Sequence, residues 1–192
     1  MIKFPSYIKD KNKGLSFESK INKANEYYKE NNIALIYKKP TPIKIISIDN
    51  ETQLITKAAF ESKSTTDYNV VFNGKYIDFE AKSTHSKTSL PLKNIEDHQI
   101  EHIKNVLNFG GISFLLVEFS ALDEIYLLKG DKLLAFLDNE NRSSIPLTYF
   151  KKEGFLVPSN LKIYVDYLSV LLKRARICRV FDKFELVYSL RI

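Results

Sequence analysis

The sequence has one cysteine, Cys178, six glycines and no tryptophan in its 192 residues. A single cysteine permits no internal disulfide, and a zinc site built on cysteine has too few ligands. No apolar run approaches the roughly 18–20 residues of a membrane-spanning helix, and the first residues lack the apolar stretch of a signal peptide. These absences predict a protein of the reducing cytoplasm that does not associate with a membrane.

Charged residues are present in ordinary number but unequal in sign. They make up 27% of the chain, the net charge is +6, and the isoelectric point is near 9.2. Lysines and arginines that neutralise phosphates release condensed counterions, so the excess favours a polyanionic partner. Charge alone decides little, because many basic proteins bind no nucleic acid. No glycine-rich phosphate loop and no G-x-S-x-G elbow is present, which argues against an ordinary metabolic enzyme.

The spacing of apolar residues predicts alternating helices and strands. Helices are expected from about Ser16 to Asn31, from about Asn94 to Phe109, and over 132–137. Strands are expected over 33–37, 43–48, 68–72, 75–82, 112–119, 124–128 and 163–170, while 54–63 fits a strand or a short helix. This order and length predict one α/β domain with a mixed sheet flanked by helices.

Asn73-Gly74 stands between two β-rich runs and is the strongest short-range signal for a hairpin. With these two residues as the loop, Tyr68 pairs with Phe79, and Asp67 lies opposite Glu80. Because side chains alternate across a sheet, Lys82 shares their face. Directly opposed residues have Cβ atoms about 4.5–5.5 Å apart. The hairpin therefore predicts two neighbouring carboxylates with a lysine beside them.

Opposed carboxylates repel each other unless a proton or a cation lies between them. Magnesium prefers oxygen ligands and is usually held by one or two carboxylates plus substrate phosphate. Such an ion would polarise a phosphoryl oxygen and activate a water, and Lys82 would stabilise the developing charge. The alternative is an ordinary solvated face, with Glu80 and Lys82 as a surface pair.

The stretch from Asp67 to Glu80-Ala81-Lys82 matches the D-x(n)-ExK core of PD-(D/E)xK nucleases. The surrounding segments are more specific. Residues 38–43, 64–69, 74–82, 91–94, 98–99 and 110–112 resemble the RecU family of Holliday junction resolvases, and the similarity runs from about residue 14 to 170. Two features depart from the family: Val70 stands where it usually has glycine, and the chain beyond Val170 does not match.

The resemblance implies a restriction-endonuclease-like fold: a single nuclease domain over 1–192, a protruding stalk over about 43–66, and a C-terminal extension over about 171–192 of uncertain role. It also implies a metal site. The residues are the ligands Thr65, Asp67, Glu80 and Gln99, the catalytic set Asp67, Glu80 and Lys82, and Glu18 as a possible additional acid.

Candidate DNA contacts are the lysines Lys38, Lys39, Lys57 and Lys63, with ordinary solvated lysines as the alternative for the last two. His98 and His102 have a zinc-like spacing, but no third ligand is evident. A run of basic residues, 173–176, either extends the DNA-binding surface or forms a solvated helix face.

The expected function is that of a magnesium-dependent endonuclease, with manganese as a plausible substitute, acting as a homodimer. It would make paired nicks in four-way DNA junctions during recombination and repair. Two-fold symmetry in the substrate asks for two-fold symmetry in the enzyme. An accessory branch-migration helicase or recombinase is left open. The alternatives are a nuclease that cuts ordinary duplex or flaps, and a junction-binding scaffold that does not cleave.

Overall fold

The computed structural model describes residues 16–60, 65–159 and 163–175. The described α-helices are α1 (Phe17–Glu30), α2 (Asp97–Asn108), α3 (Gly130–Asn139), α4 (Leu147–Glu153) and α5 (Tyr167–Ala175). A short 3-10 helix, Leu92–Asn94, precedes α2. No helix within these ranges is long and apolar enough to cross a bilayer.

Within the described ranges, ten strands form three sheets. They are β1 (Leu35–Lys38), β2 (Ile43–Ile48), β3 (Ile55–Phe60), β4 (Tyr68–Phe72), β5 (Lys75–Thr84), β6 (Ser89–Pro91), β7 (Ile112–Phe119), β8 (Glu124–Lys129), β9 (Ser144–Pro146) and β10 (Phe155–Leu156). The main sheet has the order β1-β4-β5-β7-β8-β10. Only β5 and β7 pair in parallel within it, so the predicted mixed sheet is confirmed.

Helices cover both faces of this sheet. On one face, α1 and α5 pack against side chains that include Phe79, Phe114 and Leu116. On the other, α2, α3 and α4 pack against side chains that include Leu115 and Val117. Successive residues of β7 thus enter opposite cores, as the alternation of a strand buried on both faces requires.

The first helix forms as its sequence predicts. Ser16 caps it, and its hydroxyl oxygen accepts a hydrogen bond from the Ser19 backbone N–H at 3.2 Å. The apolar stripe is buried in the core and consists of Phe17, Ile21, Ala24 and Tyr28. Helix α1 is therefore fixed against the sheet, which places its first turn beside β4.

The hairpin of β4 and β5 has the predicted register, with Tyr68 paired to Phe79 and Phe72 to Lys75. Asn73 and Gly74 both have positive φ, 50° and 69°, as a type I′ turn requires. Val70, which the resemblance marks as a departure from glycine, is fully buried in the core. The valine side chain thus packs on the face of the sheet opposite to the one that carries Glu80 and Lys82.

Strands β2 and β3 form a two-stranded sheet of their own. Every residue of both strands is exposed, including Ile45 at 47% and Phe60 at 81%. The segment 54–63, for which the sequence allowed a strand or a short helix, forms a strand over Ile55–Phe60. This hairpin corresponds to the predicted stalk, of which residues 61–64 lie outside the described ranges.

Two expectations about secondary structure were wrong. Residues 163–170 do not form a strand, since Tyr167–Ala175 is helical. Helix α2 does not begin at Asn94, which lies in the 3-10 helix, but after Glu96. In the C-terminal extension, α5 continues to Ala175, and Arg176 with the rest of the chain lies outside the described residues.

Candidate active site

Three predicted site residues lie close together where β4 begins, at the end of the hairpin opposite to the Asn73-Gly74 turn. Asp67 directly precedes β4, and Glu80 and Lys82 lie in β5 on the face covered by α2. The Asp67 backbone N–H donates to Glu80 Oε2 at 3.1 Å, and the Ala81 backbone N–H donates to Asp67 Oδ2 at 3.0 Å. The two carboxylates are thus direct neighbours, as the hairpin register predicts.

Glu80 is almost fully buried, with 2% of its surface exposed. Its Oε1 accepts a hydrogen bond from Gln99 Nε2 at 2.8 Å and lies 2.7 Å from Lys82 Nζ. Together with the Asp67 N–H, these contacts give the carboxylate three donors. A solvated surface pair of Glu80 and Lys82, the alternative considered from the sequence, does not describe this arrangement.

Burial and then the neighbouring charge of Asp67 raise the pKa of Glu80, and Lys82 partly opposes the rise, so that the pKa is about 7. Desolvation disfavours the charged carboxylate, and a like charge nearby acts in the same direction. Glu80 therefore changes its charge near neutral pH. A cation between Glu80 and Asp67 would favour the ionised form of both.

Gln99 is buried at the third position of α2 and uses both ends of its amide. Its Oε1 accepts from the Glu96 backbone N–H at 3.0 Å, while its Nε2 donates to Glu80. This glutamine thus caps its own helix and orients the buried carboxylate. A carbonyl oxygen has two lone pairs, so one remains for a further ligand.

Glu18 lies in the first turn of α1, where its Oε1 is 2.5 Å from Lys38 Nζ. A cleft of about 300 Å³ opens between α1 and the sheet, lined by Phe17, Glu18, Lys38, Asp67, Tyr68, Ala81 and Ser83. The pKa of Tyr68 is raised by burial and then by the charges of Glu18, Asp67 and Glu80. The cleft therefore brings Glu18 beside Asp67, whereas Glu80 lies on the sheet face covered by α2 and does not line the cleft.

Thr65 is exposed, and its Oγ1 accepts a hydrogen bond from Lys39 Nζ at 3.0 Å. Lys39 in turn lies against Asp78, a fully buried residue of β5. The sequence placed Asp78 on the same strand face as Glu80 but assigned it no role. The alternation of side chains along β5 was the available signal in the sequence. The burial of Asp78 depends on α2, which comes later in the chain.

The other predicted DNA contacts are dispersed. Lys57 lies on β3 of the exposed hairpin, Lys38 lines the cleft, and Lys63 lies outside the described residues. His98 and His102 have different neighbours, since His98 Nδ1 is 3.3 Å from Glu96 Oε2 and His102 Nε2 is 3.3 Å from Asp78 Oδ1.

No group of three or more His, Cys, Asp or Glu side chains arranged to hold a metal occurs in the described part of the chain. The oxygen donors near the sheet end are two carboxylates and the Thr65 hydroxyl, whereas Gln99 turns its amide nitrogen towards Glu80 and its oxygen towards the Glu96 N–H. This set fits magnesium, which keeps several waters and takes further oxygens from substrate phosphate. It fits zinc poorly, because zinc prefers nitrogen and sulfur ligands in a closed shell.

The family model for Recombination protein U, RecU, matches residues 12–173. The chain belongs to the RecU family. Three proteins named Holliday junction resolvase RecU show the extent of the similarity within that family. The Geobacillus sp. strain WCH70 protein is 44% identical over 168 residues, 84% of each chain. The Streptococcus gordonii protein is 45% identical, covering 84% of this chain and 83% of its own. The Lactococcus lactis protein is 46% identical, covering 84% and 78%.

Among solved structures, the Holliday junction resolvase Hjc of Archaeoglobus fulgidus aligns with this RecU-family chain at a TM-score of 0.41 and 8% identity. The alignment covers 67% of this chain and 86% of the other. The likeness is too distant to bear on function.

Proposed function

We propose that this RecU-family chain is a Holliday junction resolvase that hydrolyses phosphodiesters of four-way DNA junctions with a divalent metal ion. One observation carries the proposal: a buried Glu80 contacts Asp67, Lys82 and Gln99 at one end of the sheet. The relatives of this chain carry the name of that activity over most of its length. A protein that only binds junctions gains nothing from two neighbouring carboxylates that face DNA.

Asp67 and Glu80 would hold the ion, with Thr65 and Gln99 as the neighbouring oxygen donors. Magnesium is the natural choice for this donor set, and manganese is a substitute of similar preference. When bound, the ion polarises the scissile phosphoryl group and lowers the pKa of its water. Glu80 must lose its proton to bind the ion, and its pKa of about 7 makes that step dependent on neutral or higher pH.

Lys82 is the cation of the site. Its side chain is 18% exposed, and its Nζ lies 2.7 Å from Glu80 Oε1. In the transition state, negative charge grows on the phosphoryl oxygens, and a fixed ammonium stabilises that charge. Lys82 therefore serves as the transition-state stabiliser, with Glu80 holding it in place.

The resolvase would act as a homodimer, because a four-way junction has two equivalent strands to cut. The exposed hairpin supports this, since its apolar residues are more than a monomer usually presents to water. They are Ile43, Ile45, Ile46, Ile48, Leu54, Ile55 and Phe60, each 47–81% exposed. On this account, a second copy of the chain or the centre of the junction covers the hairpin.

The test is cleavage of a labelled synthetic four-way junction in magnesium, with a linear duplex of the same sequence as the control substrate. Wild type is expected to nick the junction in opposed strands and to spare the duplex. Asp67→Asn should bind the junction and leave it intact. Equal cleavage of the duplex would instead indicate a general nuclease, and binding without cleavage under any divalent metal would indicate a junction-binding protein.

A further inference from the structure

A second polar cluster lies next to the proposed metal site. Asp78 is fully buried, and its Oδ2 lies 2.5 Å from Lys39 Nζ and accepts a hydrogen bond from Tyr76 Oη at 2.6 Å. His102 Nε2 is 3.3 Å from Asp78 Oδ1. Because burying a charge without a partner is costly, Asp78 requires Lys39 at this position.

Lys39 connects this cluster to the segment that carries the site residues. Its Nζ donates to Thr65 Oγ1 at 3.0 Å and to Thr66 Oγ1 at 3.1 Å. Its backbone N–H donates to the Asp67 backbone oxygen at 2.8 Å. One lysine thus holds three consecutive residues, two of which belong to the proposed metal site.

The contacts of Lys39 leave it little capacity for DNA. An ammonium group has three N–H donors, and Asp78, Thr65 and Thr66 account for all three. The side chain is only 18% exposed. Lys57, in contrast, lies on an exposed strand of the hairpin and is itself exposed. The geometry therefore argues against a phosphate contact for Lys39, which the sequence analysis had included among the candidate DNA contacts.

We propose that Asp78 and Lys39 are positioning residues: Asp78 fixes the Lys39 side chain, and that side chain holds Thr65 and Thr66, so that Thr65 and the adjoining Asp67 can bind the metal ion. The inference rests on the proposed function for its metal site. A purely structural ion pair is the competing explanation. Buried pairs often add little stability compared with packed apolar residues, so the proximity to Thr65 and Asp67 favours positioning.

The experiment compares Lys39→Met, Asp78→Asn and the double variant with wild type, and uses Lys104→Met on the exposed side of α2 as the matched lysine control. Thermal melts first establish that each variant is folded. The double variant guards against misfolding, because it removes both charges where Asp78→Asn alone leaves Lys39 without its partner. Manganese binding to the protein alone is then measured by the electron paramagnetic resonance signal of the free ion, and junction affinity is measured without divalent metal over a range of salt.

Both single variants should weaken manganese binding roughly 10- to 100-fold, the usual effect of removing a group that supports a metal ligand. Their junction affinity and its salt dependence should equal those of wild type and Lys104→Met. The double variant should be no worse than Lys39→Met, because Asp78 acts through Lys39.

Two results would overturn the inference. In one, Lys39→Met leaves manganese binding intact but lowers the salt slope by about one, which is the signature of a lost phosphate contact. In the other, the two single losses multiply in the double variant, so the residues act independently. A wild type that binds manganese but cuts no junction would refute the proposed function and leave the manganese comparison to decide the positioning role.

Discussion

At the scale of single residues, the chemistry of this protein depends on the protonation of Glu80. Its usual pKa of 4.5 is raised to about 7 by burial and then by the charge of Asp67. The folded protein therefore keeps a proton on Glu80 that the unfolded chain has already released between these two pH values. The contribution of Glu80 to the free energy of unfolding is constant below pH 4.5, and the free energy of unfolding decreases as the pH rises from 4.5 towards 7.

Replacement of this acid should therefore stabilise the metal-free protein in a pH-dependent way. In a chelator, Glu80→Gln should gain roughly 2–4 kcal/mol relative to wild type at pH 8 and much less at pH 5, at about 1.4 kcal/mol per pKa unit. Urea unfolding of both proteins at the two pH values measures this difference. The same gain at pH 5 and pH 8 would show that Glu80 does not titrate in this range.

Metal removal gives the complementary prediction. Magnesium at ten times its dissociation constant should stabilise wild type by about 1.4 kcal/mol at pH 8, because it binds only the folded protein. Glu80→Gln should gain little, since it lacks the second carboxylate. Thermal melts with magnesium and with chelator provide the comparison, and an equal gain in both proteins would place the ion elsewhere.

Gln99 allows a finer test of how Glu80 is held. Gln99→Leu removes the donor at 2.8 Å from Glu80 Oε1, so the pKa of Glu80 should rise above about 7. Cleavage should then need a higher pH than in wild type. A pH–rate profile for the variant, beside the exposed control Asn105→Ala, measures the shift, and superimposable profiles would contradict this role.

The hairpin register predicted from the sequence makes Asp67 and Glu80 neighbours in the structure, whereas the contact of Lys39 with Asp78 was not predicted. Strand parity and the Asn73-Gly74 turn place Asp67 opposite Glu80, because a hairpin register is a local property. The pairing of Lys39 with Asp78 joins residues 39 positions apart. That contact requires β1 to pair with β4 beside β5, and the local sequence pattern does not predict this strand order.

At the scale of elements, the clearest error concerns α5. The stretch Ile163, Val165, Tyr167 and Leu168 is rich in residues that favour strands, and all four are buried. Asp166 nevertheless starts a helix, since its carboxylate accepts from the Ser169 backbone N–H at 3.3 Å. Tertiary packing against α1 and the sheet thus overrides the intrinsic preference.

This helix should contribute substantially to stability. Leu168→Ala is expected to lower the free energy of unfolding by about 2–5 kcal/mol, because Leu168 is 1% exposed in the core. Val170→Ala, at a partly buried position of the same helix, should cost less. Urea unfolding compares the two variants, and equal costs would indicate that α5 is not docked as described.

The sequence predicted β2 but left residues 54–63 open between a strand and a short helix, and the structure shows β3 there, with every residue of both strands exposed. Lys57→Ala should weaken junction binding and lower the salt slope by about one, because one phosphate contact is lost. Linear duplex binding should change less. Salt titrations of both substrates, with Lys151→Ala on α4 as the control, measure this, and equal losses on both substrates would oppose a junction-specific hairpin.

At the scale of the whole molecule, helices on both faces of the main sheet leave Asp67 partly exposed at one sheet end, beside the buried Glu80. The mixed sheet and the flanking helices were predictable from the order of elements. The covering by α1 and α5 on one face and by α2, α3 and α4 on the other was not, since it requires the sheet order. A single domain over the whole chain and a dimeric assembly remain predictions.

The most direct test of the resolvase proposal uses a supercoiled plasmid that extrudes one cruciform. Two coordinated nicks within one complex linearise the plasmid, whereas independent nicks first release relaxed circles. Wild type in magnesium should yield linear product, and an equal mixture of wild type with Asp67→Asn should yield mainly nicked circles from mixed dimers. Wild type that produces only nicked circles, or no product, would contradict the account of a dimeric junction resolvase.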